Sequence, residues 1–196
     1  MNNLVVFASG GGSNFRSILK NTKNNKIKNC QVSLLISNNS NSKAILHAKE
    51  NRVDTFIINH QRYPDKKDYI EVLNNKINES HPELIVLAGY MKLIPKEIVD
   101  NFKNKIINIH PGKLPEFGGK GCYGMNVHKA VIDSKVKSTA VTIHYVNEEY
   151  DKGMIINEQI IDVLEDDTPD SLSDRVLEYE HKIYSKVINN IINNKA

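Results

Sequence analysis

Over its first 110 residues the chain alternates short apolar runs with helical patterns, and this rhythm restricts the fold more than any other feature. Leu4-Val5-Val6-Phe7-Ala8 is continuous and apolar, as for a strand buried on both faces. Gly10-Gly11-Gly12 interrupts it. Ser13 stands where a helix N-cap belongs, and Phe15, Ile18 and Leu19 give the next helix an apolar face. The pattern continues with a strand over Val32 to Ile36, a helix from about Lys43 to Asn51 and a strand over Thr55 to Ile58. Tyr69, Ile70, Leu73 and Ile77 mark a helix from Lys66 to Glu79, and Leu84 to Leu87 reads as the next strand. A short helix follows Pro95, and Ile106 to His110 is a strand ended by Pro111. Such alternation builds βαβ units, hence a parallel sheet with helices on both faces.

Beyond Pro111 the spacing changes. Gly112 to Met125 is a long loop, followed by a helix from Asn126 to Ile132. Strands over Thr139 to Val146 and Met154 to Val163 lie close enough in sequence to pair antiparallel at one edge. Thr168-Pro169 opens a last amphipathic helix through Leu172, Val176, Leu177, Ile183, Val187 and Ile191. The expected fold is a three-layer α/β/α sandwich with a mostly parallel sheet, Rossmann-like in its N-terminal half, forming a single domain over residues 1–196.

Composition narrows the function classes. A chain of 196 residues buries about 70% of its unfolded surface, enough for a core without staples. Its two cysteines, Cys30 and Cys122, have no metal-ligand spacing, and the seven histidines do not pair at such spacing, so no metal is expected. No run approaches the roughly 20 apolar residues of a membrane span, and the start at Met1-Asn2-Asn3-Leu4 lacks a basic n-region. Few cysteines and no such signal point to the cytoplasm. A net charge of +3 spread over the chain, with only four arginines (16, 52, 62 and 175), argues against nucleic acid as a partner.

Four segments could carry chemistry. Gly10-Gly11-Gly12-Ser13-Asn14 lies between the first strand and the first helix, where backbone N–H groups bind anions. It is either a phosphate site or a tight turn with an ordinary cap, and its position favours phosphate. It is neither the dinucleotide fingerprint, whose third glycine would fall on Phe15, nor a P-loop. Asn108 and His110 are two apart at the C-terminal end of a strand, so they share one face where open α/β sheets bind ligands. An amide and an imidazole there suit acyl chemistry, through oxyanion stabilisation and proton transfer; hydrogen bonding to the next loop is the other reading. Asp151 lies in a turn between two strands. It is either an exposed acid or a partner that raises the pKa of His110. Met91, Leu93 and Ile94 follow a buried strand and Gly89; they are core or the wall of an aromatic ligand pocket.

In this order, Ala8 to Asn14, Val86 to Leu93, Ile107-Asn-Ile-His-Pro111, Thr142 to Val146, Asp151-Lys-Gly153 and Tyr179 to Tyr184 resemble the glycinamide ribonucleotide (phosphoribosylglycinamide) formyltransferases, from about Leu4 to Tyr184. The resemblance implies the formyltransferase fold, with about 1–100 as a phosphate-binding half and about 101–196 as a catalytic and folate-binding half. It implies formyl transfer from 10-formyltetrahydrofolate, a co-substrate, to the amine of glycinamide ribonucleotide in purine biosynthesis, with no metal. Asn108 would stabilise the oxyanion, His110 would relay the proton and Asp151 would hold it charged and oriented. Gly12, Ser13, Asn14 and Lys66 would bind the substrate phosphate, and Glu180 the ribose. Met91, Lys92, Leu93 and Ile94 would line the folate pocket, opposite Val146, Asn147 and Tyr150. Lys66 and Lys92 stand where the family often has Arg. The implied partners are small molecules, with no membrane, and the assembly is a monomer or a homodimer. Other folate-dependent formyltransferases, of the methionyl-tRNA or amino-sugar type, use the same Asn, His and Asp. The tRNA type normally adds a basic domain for which this length leaves no room. A phosphate-binding module without catalysis would need the glycine loop alone.

Overall fold

The computed structural model describes residues 1–193; the last three positions of the expected domain lie outside them. Seven strands form one sheet: β1 (Asn2–Phe7), β2 (Cys30–Ser37), β3 (Asp54–Ile57), β4 (Pro82–Leu87), β5 (Ile106–His110), β6 (Ser138–Tyr145) and β7 (Ile155–Asp162). Their spatial order is β3-β2-β1-β4-β5-β6-β7. The first five strands are parallel; β6 runs antiparallel to β5, and β7 antiparallel to β6. The expected sandwich and its antiparallel edge are both present.

The helices are α1 (Ser13–Lys23), α2 (Lys43–Glu50), α3 (Lys66–Glu79), α4 (Lys96–Asn101), α5 (Met125–Asp133) and α6 (Pro169–Asn193). Alternation along β1 explains their two layers. Leu4, Val6 and Ala8 face a core shared with α1, α2, α5 and α6, whereas Val5 and Phe7 face one shared with α3 and α4. Among the described residues no helix is long and apolar enough to cross a membrane, and no group of three or more His, Cys, Asp or Glu could hold a metal. Both cysteines are free thiols.

One cap differs from the expected one. The N-cap of α1 is Gly12, in the left-handed region at φ 71°, and Ser13 is already helical. A Cβ at Gly12 would lie 2.8 Å from the Cα of Ala44, so the position is closed to side chains by both conformation and the approach of α2. Thr168 does cap α6. Its Oγ1 accepts from the Ser171 N–H at 3.1 Å while its own N–H donates to Ser171 Oγ at 2.9 Å.

Tyr184 ties α6 to the sheet next to the site. Its ring is buried, and its hydroxyl faces the carbonyls of Leu87 on β4 (2.9 Å) and Ile107 on β5 (3.2 Å). These strands carry the folate-pocket segment and the Asn108/His110 pair expected from the sequence. Tyr184→Phe keeps the ring but leaves buried carbonyls without this donor, a cost of about 1–3 kcal/mol. We expect a lower midpoint in urea with an unchanged slope, measured by circular dichroism.

Candidate active site

The site forms where the sheet changes direction. In the β5–β6 ladder Asn108 lies opposite His144 and His110 opposite Thr142. Directly opposed residues share a face, so Asn108, His110, His144 and Thr142 all project to one side, away from Ile107 and Ile109 in the α1/α6 core. The Thr142 hydroxyl donates to the Gly112 carbonyl at 2.8 Å and fixes the start of the long loop.

The β6–β7 turn returns Asp151 to this pair. Asp151 is in the left-handed region at φ 55°. Gly153 shapes the return, because a Cβ there would lie 1.6 Å from the Tyr145 carbonyl oxygen. The Asp151 side chain is 10% exposed, with Oδ2 3.6 Å from His110 Nδ1 and Oδ1 3.5 Å from His144 Nε2. Oδ2 also accepts the Gly119 N–H at 3.0 Å, and Oδ1 lies 3.4 Å from Asn108 Nδ2. Asp151 is therefore the buried partner of His110 and not an exposed turn residue.

Ring tautomers follow from the acceptors. His110 Nε2–H donates to the Phe117 carbonyl at 2.8 Å, so Nδ1, facing Asp151, is the atom that gains or loses a proton. His144 Nδ1–H donates to the Tyr145 carbonyl at 2.8 Å; in the neutral ring Nε2 then accepts from Asn108 Nδ2 at 3.1 Å. Burial lowers the His110 pKa below the ordinary histidine value and outweighs the upward pull of Asp151 and the Phe117 carbonyl. The carboxylate does pull the pKa up as expected, but the depth of burial sets the net direction. Burial pushes the Asp151 pKa up. His144, His110 and the Gly119 N–H together pull it down further, so the carboxyl stays below the usual range. The pair at neutral pH is an ionised Asp151 beside a neutral His110.

A cavity of about 600 Å³ opens beside this cluster. It reaches Ser13 and Asn14 at the start of α1, Glu180 on α6, and Met91, Lys92, Leu93 and Ile94 after β4. Val146 and Tyr150 line it from the β6–β7 side. Met91 and Leu93 are 48% and 41% exposed, so they are cavity wall and not core, while Ile94 is buried. Ser9 links the loops after β1 and β4, as its Oγ accepts the Met91 N–H at 2.9 Å. Gly10 and Gly11 face open space; Gly12 is off the lining and shapes the loop.

With Gly12, two further expected residues, Lys66 and Asn147, do not line the cavity. Lys66 is exposed and lies 3.6 Å from Glu97 on α4. Asn147 accepts the Glu149 N–H at 3.1 Å within the turn. Three contributors were missed: His144, the Gly119 N–H and His128, whose buried ring also lines the cavity. The two-residue spacing of Thr142 and His144 places both on one face of β6, but only the register against β5 sets His144 beside Asn108.

Glu180 is buried, and its Oε2 accepts the Asn14 amide at 2.8 Å. Burial pushes its pKa up to about 7 against the pull of that hydrogen bond. The unfolded chain holds this proton less tightly, with a glutamate pKa near 4.3. The stabilisation is therefore complete below about pH 4 and is lost as pH rises through about 7. Glu180→Gln should remove a pH-dependent contribution of about 3 kcal/mol. Calorimetry at pH 5 and pH 8 should show a smaller fall in Tm for the variant than for the parent chain.

A formyl transferase family model matches residues 2–188. The chain is 41% identical over 186 residues to the chloroplastic phosphoribosylglycinamide formyltransferase of Arabidopsis thaliana, covering 94% of this chain and 63% of that protein. For the chloroplastic relative of Vigna unguiculata the identity is 40%, and 59% of its length is covered, so the chain spans under two thirds of these plant relatives. It is 34% identical to the phosphoribosylglycinamide formyltransferase of Bacillus subtilis (strain 168), covering 98% of this chain and 95% of that one. The crystal structure of phosphoribosylglycinamide formyltransferase from Bacillus halodurans aligns with a TM-score of 0.91 at 30% identity, covering 100% of this chain and 97% of the other. The chain belongs to the formyl transferase family, among the phosphoribosylglycinamide formyltransferases.

Proposed function

We propose that the chain transfers the formyl group of 10-formyltetrahydrofolate to the amine of glycinamide ribonucleotide, a step of purine biosynthesis. The observation that carries this reading is the convergence of Asn108, His110 and Asp151 on one cavity that also reaches Ser13, Asn14 and Glu180. The phosphate would lie on the N–H groups at the start of α1 and the ribose beside Glu180. The folate ring would lie against Met91, Lys92, Leu93 and Ile94, with Val146 and Tyr150 opposite. Lys66 and Asn147 have no contact role in this reading.

The amine lone pair forms a bond to the formyl carbon, and the carbonyl pair moves onto oxygen. The carbonyl then re-forms as the bond to the folate nitrogen breaks, and one proton passes from the attacking to the leaving nitrogen. Asn108 would donate to the oxyanion by exchanging its long 3.4 Å contact with Asp151. His110 would take the proton at Nδ1 and pass it on. The 3.6 Å gap between Nδ1 and Asp151 is too wide for a hydrogen bond while the ring is neutral. Protonation creates the donor, so Asp151 would stabilise the charged ring as the proton moves.

The same triad suits methionyl-tRNA and amino-sugar formyltransferases, and assays of each acceptor separate the readings. We expect formyl-folate consumption with glycinamide ribonucleotide alone, in the cytoplasm, by a monomer or homodimer. Formylation of charged tRNA or an amino sugar in its place would overturn the assignment. His110→Ala and Asp151→Asn should each lower turnover by at least about 100-fold. Unchanged turnover in both folded variants would refute the triad.

A further inference from the structure

The lysines and the arginine that look scattered in sequence are collected by the fold. Arg16, Lys20 and Lys26, from α1 and the loop after it, face His181, Lys182 and Lys186 of α6 across a groove, which no Asp or Glu among the described residues lines. The two helices are joined by contacts about one helical turn apart on α1, the first of them beyond the groove lining. Asn14 Nδ2 donates to Glu180, Ser17 Oγ faces the His181 carbonyl at 3.5 Å, and Asn21 Nδ2 donates to Ser185 Oγ at 2.7 Å. These contacts fix the spacing of the two helices, so the cations are displayed on rigid walls.

The charges lack internal compensation. Among the described residues, Arg16, Lys20, Lys26 and Lys186 form no ion pair, and exposed Lys182 lies 3.9 Å from Glu178 and 5.4 Å from the centre of the Tyr179 ring. His181 Nε2 is buried without a hydrogen-bond partner. Burial and then the charge of Arg16 lower its pKa. Ser13 lines both this groove and the active-site cavity, so the two join where the phosphate was placed. Lys66 pairs with Glu97 and lines neither space, whereas Arg16 and Lys20 line the groove that shares Ser13.

We propose that the α1–α6 groove is an anion site for phosphorylated small molecules, continuous with the substrate site at Ser13. Arg16 supplies its first charge, and Lys20, Lys26 and Lys186 extend it to a second phosphate group. Arg16 and Lys20 are one turn apart on α1, about 6 Å along the axis, a span that accommodates two linked phosphates. Like charges gathered without carboxylates repel one another, and a bound polyanion relieves that repulsion. Placement of the first phosphate at Ser13 rests on the proposed function; the charge of the groove does not.

Calorimetric titration with inorganic phosphate and with pyrophosphate, at low and at 0.5 M salt, tests this without an activity readout. We expect pyrophosphate to bind at least about tenfold tighter than phosphate at low salt, the scale of one added charged contact. High salt should erase most of that preference. The double variant Lys20→Ala/Lys186→Ala, exposed positions away from the core, should abolish the preference and leave phosphate binding nearly unchanged. Arg16→Ala should weaken both anions by about tenfold. Equal affinity for the two anions, or a double variant that keeps the preference, overturns the proposal. A kept preference in a chain that formylates no glycinamide ribonucleotide would instead overturn the proposed function and leave the groove standing.

Discussion

The site depends on one carboxylate held where water would normally not let it go. Asp151 is largely buried, in a backbone conformation that non-glycine residues rarely adopt, and takes its contacts from three separate elements. His110 and Asn108 come from β5, His144 from β6, and the Gly119 N–H from the long loop. An isolated buried charge is costly, and the two histidines with the Gly119 N–H together outweigh that cost and hold the carboxyl below its usual range. The same contacts fix where the loop and the β6–β7 turn lie. Charge retention and active-site shape are thus one requirement.

The reversal of the sheet between β5 and β6 makes the gathering possible. A parallel neighbour would connect through a crossover helix, whereas antiparallel β6 brings His144 directly opposite Asn108 and returns the chain to the same end through a short turn. The ends of β1 and β4 supply the other side, with the glycine loop and the exposed Met91–Leu93 wall linked through Ser9. The N-terminal half brings Ser13, Asn14 and Met91 to Ile94 to the cavity, and the C-terminal half brings Asn108, His110, His144 and Asp151. Tyr184 holds the α6 layer against both strands at the seam.

The βαβ rhythm was legible because buried parallel strands leave continuous apolar runs such as Leu4–Ala8, and α3 was legible from Tyr69, Leu73 and Ile77 on one face. The Asn108/His110 pair was legible from its spacing alone. His144 was not, because its role comes from the β5–β6 register, which no local pattern encodes. The net direction of the His110 shift was not legible either: the family resemblance suggested the carboxylate, whose upward pull is present, but the burial that outweighs it has no sequence signal. Lys66 drew a role from its position in the family pattern, but the fold pairs it with Glu97. Arg16 and the lysines of α1 and α6 drew none, because their proximity arises only when the two helices pack.

The most direct measurement is a nitrogen-15 NMR titration of the His110 ring in the parent chain and in Asp151→Asn. The account predicts a neutral ring protonated at Nε2, titrating below about 6.5, the ordinary histidine value. Loss of the carboxylate charge should move that titration lower still. A ring protonated at Nδ1, a pKa above the ordinary value, or one that does not move when Asp151 loses its charge would contradict the account.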